Sequence, residues 1–246
     1  MPKVASTAWM LTFASMNLMP QHEIDRKVKS MSLHDHLYDH FSLKMRKAED
    51  ISILSPFYKF VFLRHPFERL VSAFHDKFIV VKQLNLMEPF IKYHLESKGM
   101  KTPTLLHLRK RWIEQNVEVS FENFVDFVLY EASLSQRISG PSGHWWPYTD
   151  MCKICEIDYD YIGKLETLAD DVACILQNFP NYDLLQQMKS RIKVKVNASG
   201  NHNRNMTIDY FSQLTKPKII ELYNMYKDDF AIGGYDYPQK YIDVGL

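Results

Sequence analysis

The chain predicts an α/β fold in a single domain over residues 1–246, and three observations carry that expectation. A short aromatic and branched run, Tyr58 to Arg64, reads as a buried strand and passes through a tight turn straight into a helix. Three later segments carry apolar residues at helical spacing, so strands and helices are mixed along the chain. Finally, 246 residues with 46% apolar and 13% aromatic content can bury one sizeable core.

In chain order, the first segment of interest is Pro2-Lys3-Val4-Ala5-Ser6-Thr7-Ala8-Trp9, a lysine followed by small and hydroxylic residues that open an apolar helix. Small side chains let backbone N–H groups approach the oxygens of a phosphate or sulfate, and a lysine adds a mobile point charge. The glycines of a Walker A loop are absent from it, and a solvated terminal lysine is the plainer alternative. The uncharged stretch from Val4 to Pro20 has the outline of a signal peptide. Its Ser6, Thr7, Thr12, Ser15 and Asn17 make it too polar, and it is too short, to span a bilayer. No other segment comes closer to a span, and the chain as given reads as soluble.

The strand at Tyr58 to Arg64 is followed by His65-Pro66, and proline suits the first position of a helix because its missing N–H has no partner there anyway. Phe67, Leu70, Val71, Phe74 and Phe78 then form one core-facing stripe, with Glu68, Ser72 and Asp76 on another face. A second amphipathic helix follows Ser120 through Phe121, Phe124, Val125, Val128 and Leu129. A third starts after Thr167 as N-cap, with Asp170 three residues on, and carries Leu168, Val172, Ile175 and Leu176. The last runs from about Pro217 to Phe230 through Ile219, Leu222, Tyr223 and Tyr226. Ser139 to Tyr148 and Asn197 to Asn205 read as loops on their glycine, proline and asparagine content.

A net charge of +1, from 30 basic and 29 acidic residues, gives no global field for nucleic acid or an anionic membrane, so anion recognition must be local. The segment Arg64-His65-Pro66-Phe67-Glu68-Arg69-Leu70-Val71-Ser72 offers it. A guanidinium at the carboxyl end of a strand and a hydroxyl off the apolar stripe of the next helix can both meet a phosphate above the helix start. Ordinary ion pairs of Arg64 and Arg69 with Glu68 and Asp76 are the alternative, and spacing leaves both open. Cys152, Cys155 and Cys174 are too few for a disulfide scaffold. Cys152 and Cys155 form a lone pair without the further ligands of a structural zinc site, which leaves a local disulfide or two buried thiols. Asn197 and Asn205 each open a glycosylation acceptor pattern.

The two anion-binding segments, in that order, resemble the 5'-phosphosulfate loop and the 3'-phosphate motif of sulfotransferases. The likeness continues through His144-Trp145, through the stretch from Cys152 to Leu168 containing Gly163-Lys164-Leu165-Glu166-Thr167, and through Asp229-Phe230 and Gly234-Tyr235. Taken together the pattern resembles the Golgi carbohydrate sulfotransferases that include the HNK-1 and the chondroitin and dermatan 4-O enzymes. It implies a P-loop-like fold with a parallel sheet flanked by helices, here beginning after its first strand. A membrane anchor and stem would lie further upstream.

That resemblance implies a donor, 3'-phosphoadenosine 5'-phosphosulfate, and a glycan or proteoglycan acceptor, chondroitin- or dermatan-like or otherwise containing N-acetylgalactosamine or glucuronate. No metal is required, because the sulfate is already activated. Pro2, Lys3, Val4, Ala5, Ser6, Thr7 and Ala8 would hold the 5'-phosphosulfate, with Ser6 standing where many relatives have cysteine. Arg64, His65, Pro66, Phe67, Glu68, Arg69, Leu70, Val71 and Ser72 would form the 3'-phosphate motif, Arg64 and Ser72 making the contacts. Sulfuryl transfer is an in-line displacement, so positioning and charge stabilisation should supply most of the catalysis, with Lys3 at the leaving oxygen. The acceptor hydroxyl needs a base tuned near neutrality, for which His36 and His34 are the leading candidates and His144 the third. Arg109-Lys110-Arg111 and Arg191, Lys193 and Lys195 could hold an anionic polysaccharide, although charge runs are commonly solvated faces. The same resemblance places the protein in the Golgi lumen. Two other readings compete: an inactive glycan-binding relative, and a nucleotide-phosphate kinase, for which the glycine loop is missing.

Overall fold

The computed structural model describes residues 54–80, 84–99, 119–134, 144–177 and 200–246. Its chain divides into two compact units, each assembled from two stretches of sequence: Met1–Arg64 with Cys152–Gly200, and His65–Met151 with Asn201–Leu246.

The first unit contains the sheet. Strand β1, Phe60–Leu63, pairs in parallel with β2, Tyr161–Lys164, in the register Phe60 to Tyr161 through Leu63 to Lys164. Val61, Phe62 and Leu63 are buried, as the run of aromatic and branched residues predicts, although the strand is shorter than Tyr58 to Arg64. Gly163 lies opposite Phe62, and a Cβ at that position would stand 2.6 Å from the Phe62 ring, so the two strands approach as they do because residue 163 has no side chain. Helix α5, Leu168–Gln177, follows β2 and packs on it. Thr167 does precede the helix, but its hydroxyl donates to the Asp171 carboxylate at 2.7 Å, one residue beyond the expected partner Asp170. Asp171 also accepts the Lys164 N–H at 2.7 Å and the Tyr161 hydroxyl at 2.9 Å, so one carboxylate ties the end of β2 to the first turn of α5. Burial and the Asp171 partnership push the Tyr161 phenol well above its ordinary range. At the other end of the sheet, Asp160 accepts the Lys59 N–H at 2.6 Å. None of the three cysteines is in a disulfide: Cys152 is buried, whereas Cys155 and Cys174 are exposed. The expected bridge, or pair of buried thiols, at Cys152 and Cys155 is therefore not formed.

The second unit is helical. Its elements are α1, Pro66–Phe74, continued by a π-helical stretch His75–Val80; α2, Leu84–Ser97; α3, Phe121–Ser133; the short α4, Tyr148–Cys152; α6, Gly200–Phe211; α7, Lys216–Ile232; and α8, Gln239–Val244. Ser120 caps α3 by accepting the Asn123 N–H at 3.1 Å, the arrangement a serine before an apolar helical stripe predicts. The composition of Asn197 to Asn205 predicts a loop, yet the helix is continuous from Gly200. Asparagine and glycine favour turns only by local propensity, and Thr207, Phe211 and Leu214 sink into the core beyond them, which overrides it. That core is aromatic. Phe67 stacks on Phe211 with centroids 4.4 Å apart, and Phe74, Phe78, Phe90, Phe121, Phe124, Phe127 and Trp145 meet largely edge to face or tilted. Helix α7 ends at Gly233, and Gly234 takes the left-handed conformation with φ of +58° while the Tyr235 N–H returns to the Phe230 carbonyl, a glycine stop of the common kind.

Candidate functional site

The segment singled out by sequence, 64–72, is described throughout, and its residues divide between the units. Arg64 directly follows β1 in the first unit and is only 5% exposed. His65 opens the second unit as N-cap of α1, with Pro66 at the first helical position. Among the described residues the cap makes no side-chain hydrogen bond to the helix start. The first turn of α1 presents amide donors and the positive end of the helix dipole, which is the chemistry an oxyanion uses. That chemistry fits a phosphate group, and Ser72, half-buried further along the helix, supplies a hydroxyl off its apolar stripe.

The rest of the motif turns inward. Phe67, Leu70 and Val71 are fully buried in the aromatic core. The His65 ring lies among Phe67, Phe230, Tyr235 and Tyr241, with centroids 5.1 to 5.9 Å away. Arg69 is wholly buried, and neither ion pair weighed from the sequence is the one it makes. Its Nη2 donates to the Trp146 carbonyl and lies 3.7 Å from an Asp229 carboxylate oxygen, while its guanidinium carbon sits 4.1 Å from the centroid of Tyr148. Asp76 instead pairs with its neighbour Lys77 at 3.0 Å.

Asp229 in turn accepts the Tyr148 N–H on both oxygens, at 2.8 and 2.9 Å, and the Thr149 N–H at 3.4 Å. Burial pushes its carboxyl up to about 6, against the downward pull of Arg69 and of those two amides. Tyr226 donates its hydroxyl to the Trp145 carbonyl, and Trp145 Nε1 donates to Glu131 at 2.8 Å. The residues just after His144 are thus held at backbone groups by α1 and α7, and at the Trp145 indole by α3. His144 itself is half-buried.

Sequence reading gave Asp229 no role of its own, because its partners lie 81 residues away and nothing in a single chain announces such a pair. Its appearance in the motif Asp229-Phe230 was the one available sign. Lys3 with the rest of 2–8, His34, His36, Asn197, Arg109-Lys110-Arg111, Arg191, Lys193 and Lys195 lie outside the described residues. Asn205 is exposed on α6, with Thr207 of the same acceptor pattern buried. Among the described residues no group of three or more His, Cys, Asp or Glu side chains could hold a metal ion, and no helix is long and apolar enough to cross a membrane.

Comparison with known proteins places the chain in a family. A model of the sulfotransferase family matches residues 1–237, nearly the whole chain. Carbohydrate sulfotransferase 10 of Xenopus laevis is 30% identical over 244 residues, covering 96% of this chain and 64% of that protein. The Homo sapiens carbohydrate sulfotransferase 10 is 29% identical over 96% of this chain and 63% of its own length. Carbohydrate sulfotransferase 11 of Mus musculus is 27% identical with the same two coverages, 96% and 63%. The chain therefore spans a little under two thirds of these relatives. No solved structure matches significantly. With a family match over almost its full length and relatives of one enzymatic kind, this chain belongs to the sulfotransferase family, and the proteins it is similar to are carbohydrate sulfotransferases.

Proposed function

We propose that this protein is a carbohydrate O-sulfotransferase that moves a sulfuryl group from 3'-phosphoadenosine 5'-phosphosulfate to a sugar hydroxyl of a glycan, a chondroitin- or dermatan-like chain being the first acceptor to try. The observation that carries the reading is that one family match spans residues 1–237, a range that includes both proposed anion-binding segments, 2–8 and 64–72. The donor supplies an activated sulfuryl group on a phosphate leaving group. In this reading Arg64 and Ser72 hold the donor's 3'-phosphate, assisted by the amides at the start of α1. Lys3 offsets charge on the leaving oxygen, and Ser6 and Thr7 hold the 5' end. His36 or His34 takes the proton of the acceptor hydroxyl. The names of the relatives support a glycan acceptor, and the same reading puts the protein in the Golgi lumen.

Incubation with radiolabelled donor and a panel of desulfated glycans tests this. Label should pass to glycan with the intact chain and be lost in Arg64→Ala and Lys3→Ala. If no glycan is labelled and 3',5'-adenosine bisphosphate leaves the melting temperature unchanged, the assignment fails.

A further inference from the structure

We infer that Arg69 and Asp229 act together as positioning residues for donor binding: a buried brace that fixes α1 to the 145–149 segment without touching the donor. This rests on the reading that the start of α1 receives the 3'-phosphate. Arg69 is a cation inside the phosphate motif, where a contact with the phosphate itself is the plain alternative. The structure turns it the other way. Its side chain is 0% exposed, its Nη2 is engaged with the Trp146 carbonyl, and its guanidinium carbon lies over the Tyr148 ring.

What makes the pair a brace is the geometry on both sides of it. Asp229 reaches back from the last turn of α7 to accept the Tyr148 and Thr149 amides, while its Oδ2 faces Arg69 at 3.7 Å. Nε and Nη1 of Arg69 find no hydrogen-bond partner among the described residues, so Asp229, the Trp146 carbonyl and the faces of Tyr148 and Tyr226 answer its charge. Removing one member of such a pair leaves the other buried and unbalanced. Through the brace, α1 is tied in one step to a segment whose carbonyls at Trp145 and Trp146 and amides at Tyr148 and Thr149 are all held by side chains. Ser72 stands one turn beyond Arg69 on the same helix, so a tilt of α1 that relaxes the brace carries the serine with it.

The experiment pairs binding with a local probe. With the intact chain, 3',5'-adenosine bisphosphate should bind and slow hydrogen exchange at the Tyr148 and Thr149 amides, because ligand at one end of a shared element is felt at the other. Arg69→Lys keeps the charge but loses the planar fork, and Asp229→Asn keeps the shape but loses the charge. Each should weaken bisphosphate binding about tenfold and abolish the ligand-dependent slowing, and the double variant should be no weaker than either alone. Arg64→Ala, as a direct contact, should lose binding outright. Asp229→Asn carries the comparison even where Arg69→Lys fails to fold. If Asp229→Asn binds like the intact chain while Arg69→Lys does not, Arg69 touches the phosphate and the inference is wrong. Unchanged binding in both variants, or exchange at 148 and 149 that ignores the ligand, reduces the pair to ordinary core structure. Failure of the intact chain to bind the bisphosphate would instead overturn the donor reading beneath it.

Discussion

Asp160 in the sheet-bearing unit and Asp229 in the helical unit perform the same local task, each accepting backbone amides at the start of an element, yet their surroundings are opposite. Asp160 is exposed, and hydrogen bonds from the Lys59 backbone and side chain hold its carboxyl below the usual range. Asp229 is 1% exposed, and burial outweighs its amides and Arg69 to push the carboxyl up to about 6. In Asp160 the hydrogen bonds set the direction of titration, whereas in Asp229 desolvation outweighs them. It also separates the two units by how they are held. Among the described residues, the sheet is secured at its ends by Asp160 and Asp171, whereas the helical unit rests on packed aromatic rings around a few buried polar groups.

Four experiments break or sharpen that comparison. The largest effect is expected from Asp229→Ala, which strands Arg69 in the core. Unfolding in urea should show a loss of about 3–5 kcal/mol, and a loss below 1 kcal/mol would mean that the pair is solvated after all. Next comes pH. A carboxyl whose folded value is raised binds its proton more readily in the native state, so the contribution of Asp229 to stability increases as pH falls through about 6 towards the unfolded value. The stability of the intact chain relative to Asp229→Asn should therefore rise by about 2 kcal/mol between neutral pH and pH ~4, and a flat difference would contradict the burial argument. Gly163→Ala tests the sheet: a methyl 2.6 Å from Phe62 should cost about 1–3 kcal/mol by forcing the ring aside, read as a lowered melting temperature. The smallest effect belongs to Asp160→Asn. Its folded value is depressed, so the stabilisation is present above the unfolded value and disappears as pH falls through the folded one. A slight drop in melting temperature at neutral pH should vanish in acid; one that persists would have to come from something other than charge.

Where local chemistry decides the structure, the sequence was readable. Pro66 at the start of α1, Ser120 as the cap of α3 and the stripe Phe67, Leu70, Val71 and Phe74 needed only nearest neighbours, and each is found as expected. The segment 161–164 gave no strand signal, since Gly163 weakens the run and its meaning depends on Phe62 lying opposite. Helix α2 was hidden by Pro89 within it, a residue that usually ends a helix. At the site, the order of motifs pointed to the chemistry, but the division of 64–72 into an outward serine and an inward arginine depends on Asp229 and Trp146, which are distant in sequence.

The interleaving of the two units bears on how the polypeptide leaves the ribosome. The first pairing of the sheet joins residues about 100 positions apart, 101 for Lys59 and Asp160, and the helical unit closes only when Phe211 and Tyr241 arrive beside Phe67. Neither unit can finish on its N-terminal stretch alone, so β1 and the apolar stripe of α1 emerge well before their partners exist. Contacts this far apart slow folding, and an unpaired strand beside an uncovered aromatic face is a substrate for chaperones until the last helices are made.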